Sequence, residues 1–177
     1  ERGIQLALQA ILVSPHFLFR VEPDRPTKDD STAPRRLNDF ELASRLSYFL
    51  WSSMPDDELF GMANAGRLNQ EDNLNAQVRR MLEDPRSVAL VENFADQWLQ
   101  IRNLRTVAPD TAQFPTFDDL LRAAMQRETE LFFGAIMRED RSIMELLDSD
   151  FTFLNERLAD HYGIPGVKGD EFRRVSL

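Results

Sequence analysis

Glu128 is the residue whose setting most calls for a chemical explanation. On the helical wheel of the stretch 117–139 it falls in the middle of an apolar face formed by Phe117, Leu121, Ala124, Leu131, Phe132 and Ala135. A carboxylate buried alone is costly, so it must be paired, hydrogen-bonded or protonated. Arg45 and Arg102 each stand at the edge of another helix's apolar stripe. They are the expected partners, in a buried ion pair that locks three helices in register. The alternative is an acid of perturbed proton affinity at a catalytic site.

The second group that could do chemistry is the pair of histidines, His16 and His161. His161 lies in LADHYGI, in the last turn of a helix, where the dipole favours its cationic form. It joins Glu128 as a catalytic candidate. His16 follows Pro15 in the aromatic run HFLF. Neither stands in an HExxH-type spacing, and packing plus a hydrogen bond explains each as well as ligation does. No residue is assigned to a metal or a cofactor. With 30 acidic residues, acidic clusters carry little information. Asp56-Asp57-Glu58 reads as the first turn of a helix, where acids offset the dipole. Asp148-Ser149-Asp150 reads as a turn without the glycine and terminal glutamate of a calcium loop. There is no glycine-rich phosphate loop and no GxSxG. The aromatic residues recur at helical spacings and read as core. Trp51 and Trp98 are both expected inside, and either one on the surface would instead suit a carbohydrate platform.

The elements that must position these groups are helices. A central one is expected over 38–52, opened by Asn38 with Glu41 three residues on and closed by Ser53-Met54-Pro55. It carries two stripes: Leu42, Ala43, Leu46, Phe49 and Leu50 on one side, and Phe40, Ser44, Ser47 and Trp51 on the other. Packing on both sides is therefore predicted. Further helices are expected at 1–13, 55–65 and 70–83. Asp84-Pro85 starts one over 85–104 with Val88, Val91, Phe94, Ala95, Trp98 and Leu99 inward. Thr116 caps the long helix 117–139, Ser142 a short one, and Thr152 or a neighbour begins the last, ending at Gly163. Strand signals are scarce, so the class is all-α, a compact domain of six to eight helices with a short strand conceivable at 172–177.

Composition narrows the function classes. The formal charge is −9, from 21 basic and 30 acidic residues, with no basic cluster, which argues against nucleic acid and anionic membrane surfaces. No apolar run approaches the ~20 residues of a transmembrane helix. The absence of cysteine excludes disulfides, thiolate catalysis and covalent haem attachment within this stretch. No signal peptide is visible, and a chain opening on Glu1 rather than Met is expected to be an excerpt.

Four phrases carry a resemblance: LASRLSYFLWSSMPDDEL, preceded by ILVSPHFLFRVE and followed by RRMLEDPRSVALVENFADQWL and FLNERLADHYGI. Together they resemble a planctomycete-type bacterial domain of unknown function, numbered fifteen ninety-two, found in multidomain proteins beside cytochrome-c-like modules. The resemblance carries no catalytic residues. It implies residues 1–21 as the end of a preceding companion domain, 37–165 as the main domain and 166–177 as the start of a following one; residues 22–36, polar and proline-containing with almost no apolar side chain, read as the linker between the first two. The resemblance also implies an extracytoplasmic location, neighbouring domains of the same polypeptide as partners, and any haem c in a neighbour rather than in this chain. The leading expectation is a non-catalytic structural or interaction module. The alternatives are an enzyme whose site forms at a domain interface around Glu128 or His161, and a carbohydrate-binding domain.

Overall fold

The computed structural model describes residues 2–19 and 36–177. The linker expected over 22–36 lies, but for Arg36, outside the described residues, as does the side chain of His16. The fold is mostly helical: α1 (Arg2–Leu12), α2 (Pro15–Leu18), α3 (Asp39–Trp51), α4 (Asp57–Asn64), α5 (Glu71–Glu83), α6 (Val88–Leu90), α7 (Asp96–Trp98), α8 (Asp119–Arg138) and α9 (Glu156–Tyr162). A two-stranded antiparallel ribbon pairs β1 (Phe151–Leu154) with β2 (Arg173–Ser176), with Thr152 opposite Val175.

Capping chemistry sets most boundaries. Asn38 accepts from the Glu41 amide while the Glu41 carboxylate accepts from the Asn38 amide, both at 2.9 Å, the reciprocal box that satisfies two free donors of α3. Asp56, expected within the first turn of a helix beginning at 55, instead caps α4, accepting from the Leu59 amide at 3.0 Å and leaving Asp57 and Glu58 in that turn. Asp118 rather than Thr116 caps α8, accepting from the Leu121 amide at 2.8 Å. Asn155 caps α9, so the last helix starts at 156 and not near Thr152. The four residues FTFL before that cap are aromatic and β-branched; they form β1, a strand the helical reading did not foresee. The strand conceived at 172–177 is present as β2.

Two apolar clusters make the core. The first gathers Ala43, Leu50 and Trp51 of α3 with Leu59, Leu68 and Met81. The second gathers Leu121 and Ala124 of α8 with Leu154, Leu158 and Val167. Residues 166–177 contribute to it directly, since Val167 is buried and β2 pairs with β1. Helix α3 is central to the first cluster, touching α4, α5 and α6. Its buried face is narrower than two stripes, however. Ala43, Ser47, Leu50 and Trp51 are inside, while Phe40 and Phe49 stand exposed. Helices α1 and α2 bury none of their apolar side chains; Ile4, Leu8, Ile11 and Phe17 are all exposed.

The stretch 85–104 departs furthest from a single helix. A 3₁₀ turn at Pro85–Ser87 leads into α6, then a π turn at Val91–Ala95, then α7, then a second 3₁₀ turn at Ile101–Arg105. In the π turn the Asp96 amide donates to the Val91 carbonyl, five residues back. That one extra residue rotates everything after it. Val91, Ala95 and Asp96 face inward, and Phe94 and Trp98, expected inside, come to the surface.

Candidate functional site

Helix α8 delivers Glu128 to the second core cluster, one turn past Ala124 and half-buried. Its expected partnership with Arg45 and Arg102 is replaced by two hydroxyls. Thr152 on β1 donates to Oε1 at 2.5 Å, and Tyr162 at the end of α9 donates to Oε2 at 2.8 Å. The carboxylate thus ties three elements together. Arg102 instead donates to the Glu92 carbonyl at 3.3 Å, and Arg45 lies on the solvent side of α3. Burial, then the bond to Glu128 and its negative charge, push the Tyr162 phenol well above its ordinary value, so it stays a donor.

These groups line a cleft of about 520 Å³ shared by Phe132, Phe151, Glu145 and Ser149. Glu145 is held by Arg141 at 2.5 Å. The Ser149 hydroxyl is buried and has no hydrogen-bond partner among the described residues. His161 is exposed; its ring lies 5.4 Å from that of Tyr162, and it makes no hydrogen bond among the described residues. The two catalytic candidates are therefore neighbours through Tyr162, and only Glu128 lines the cleft. Among the described residues, no three His, Cys, Asp or Glu side chains gather as a metal would need. No described helix is long and apolar enough to cross a membrane.

Sequence reasoning missed the second buried acid, Asp96, which is only 3 % exposed. One of its oxygens is buried without a partner, and the other meets the Gln126 amide at 3.5 Å. Burial first, then the Glu130 carboxylate, push its carboxyl above the ordinary value, against the pull of Arg102 and Arg105. Read as a regular helix, 85–104 leaves position 96 outside; only the π turn brings it in. The partners of Glu128 had a fainter signal: Asn155 marks the helix start and frees FTFL to be a strand.

The two tryptophans separate sharply. Trp51 is 3 % exposed, its indole N–H donates to the Met81 carbonyl at 2.9 Å, and the Arg86 guanidinium covers its ring at 3.5 Å. Trp98 is 53 % exposed and stacks on Phe94 with ring centres 5.8 Å apart.

No curated protein and no solved structure matches the chain. A family does match, over residues 37–164. That span runs from the residue before the α3 capping box to the end of α9, and so contains Glu128, Thr152 and Tyr162. The chain belongs to the family described as PSD4, protein of unknown function (DUF1592).

Proposed function

We propose that this domain is a non-catalytic structural or interaction module of a larger, exported bacterial multidomain protein. The observation that carries the reading is the state of Glu128. Both of its oxygens are engaged by hydroxyls that join α8, β1 and α9, so the acid best placed for proton transfer is used to hold the fold. The uncovered apolar side chains of α1 and α2 support neighbouring domains as partners. In this reading residues 1–21 close a companion domain, 22–36 link it to the main domain at 37–165, and 166–177 lead into the next. The family resemblance supports an extracytoplasmic setting, with c-type haem redox or polymer metabolism residing in the neighbours.

The test is Glu128→Gln, followed by urea unfolding and circular dichroism. The amide keeps one acceptor but turns an N–H₂ toward a hydroxyl donor, so stability should fall by about 1–2 kcal/mol with the helical spectrum retained. Unchanged stability would sink the structural role.

A second reading rests on the cleft itself. Glu128 stands there beside Tyr162 and Glu145, with the Ser149 hydroxyl, which has no partner among the described residues, on the same lining. That is the arrangement of an enzyme site completed by an adjoining domain. It predicts that Glu128→Gln abolishes an activity of the whole protein while leaving stability intact.

A further inference from the structure

Three uncommon features meet at one place on the surface. The first is the π turn at Val91–Ala95, a geometry concentrated at functional sites. The second is Ser52, which ends α3 in the left-handed conformation at φ 53°, where glycine is the easier residue. The third is a set of uncovered aromatic rings. Phe49, Phe94 and Trp98 are 56 %, 43 % and 53 % exposed, and they contact one another in series, edge-on between Phe49 and Phe94 and stacked between Phe94 and Trp98. Single exposed apolar residues need no explanation, but a contiguous group does.

The polar groups among these rings are hydroxyls and amides. Asn93 donates through Nδ2 to the Ser52 hydroxyl at 2.9 Å. This bond explains why a side chain is kept at a left-handed position. It leaves the Ser52 hydroxyl proton free to donate outward and the Asn93 carbonyl oxygen free to accept. The Gln97 amide makes no hydrogen bond among the described residues and adds a further donor and acceptor. Together with Tyr48 these side chains line a cleft of about 500 Å³, and no charged group is among its described lining residues, in a chain that is 29 % charged. Arg45 lines an adjoining groove, one turn back along α3.

We propose that this cleft binds a neutral glycan. A pyranose presents an apolar C–H face and an edge of hydroxyls. The uncovered face of Trp98 offers flat apolar surface to the first, and Ser52, Asn93 and Gln97 offer both donors and acceptors to the second. The described lining residues give no counter-ion to a uronic acid or a sulfate ester, and the chain's net charge of −9 opposes acidic polymers at longer range. The site lies apart from the Glu128 cleft, and its ligand does not depend on whether that cleft is structural or catalytic.

The experiment is retention of the full chain on cellulose, chitin, insoluble xylan and starch granules, with calcium alginate as the acidic comparison. At least one neutral polymer should retain the protein. Trp98→Ala should weaken that retention by about tenfold. Asn93→Ala, which leaves the rings in place, should weaken it too. A far-UV circular dichroism spectrum and urea midpoint close to the parent's in both variants certify that they are folded. Four results overturn the proposal: no neutral polymer retains the chain, the Trp98 variant binds as well as the parent, alginate alone retains it, or sedimentation shows the rings buried in a dimer that Trp98→Ala dissolves.

Discussion

The surroundings of Trp51 and of Trp98 are built in opposite ways, although both tryptophans end a helical segment. Around Trp51 every capacity of the side chain is used. Its N–H reaches a carbonyl, its ring is covered by Arg86, and Arg86 in turn is bound by Asp84 at 2.7 Å. That arginine holds the Asp84 carboxyl down at about 2, with the help of the backbone bond that starts the 3₁₀ turn. Around Trp98 the ring has an aromatic neighbour on one side and solvent on the other. The difference teaches that ring size does not decide burial; helix phase does. The α3 segment keeps its α period to the last residue, whereas the segment before Trp98 gains one residue in the π turn and swings its rings outward.

The two acids repeat the contrast. Glu128 is half-buried and doubly hydrogen-bonded; Asp96 is fully buried and has one oxygen with nothing to accept among the described residues. One holds elements together, and the other is a cost carried by the π turn that also exposes Trp98 and Phe94.

The largest expected effect breaks the Trp51 side of the comparison. Trp51→Ala should cost ~3–5 kcal/mol, because it removes a buried ring and leaves the Met81 carbonyl and the Arg86 guanidinium without their contacts. Urea unfolding measures this, and a loss below ~1 kcal/mol would mean the ring is no anchor.

Asp96→Asn sharpens the contrast between the acids. The folded pKa of Asp96 lies above its unfolded value near 3.8, so the native state holds the proton more tightly. Its cost to stability is therefore absent below the unfolded value and fully present once pH rises through the folded one. The amide should stabilise the protein by on the order of 1 kcal/mol at about pH 7, and the gain should vanish as the pH is lowered below the unfolded value. Denaturant titrations of the two proteins across that range decide it; a variant less stable at neutral pH refutes the assignment.

The smallest effect belongs to Trp98→Ala. With half of the residue already in water and its stack on Phe94 the one ring contact among the described residues, the melting free energy should change by less than about 1 kcal/mol. A loss as large as that of Trp51→Ala would erase the difference between the two regions.

Much of the fold was legible in local chemistry. The capping box at Asn38 and Glu41, the Asp84-Pro85 restart and the Gly163 stop at φ 71° act between residues close in sequence, so they appear in the string of letters as they do in space. The demand that Glu128 find partners was equally legible, since it follows from one acid on an apolar face. Which groups would answer was not. Thr152 and Tyr162 lie 24 and 34 residues away, on a strand and a helix end that meet α8 only after the ribbon closes. The π turn has no letter code either. Its extra residue is accepted where packing against α8, and the Phe49 ring of α3 against Phe94, compensate a poorer ladder, and that balance is struck between elements rather than along one of them. Residue types and short-range spacing thus settled where helices start and stop and which side chains need company. The company itself, and the turning outward of Trp98, were decided by the helices closing on one another.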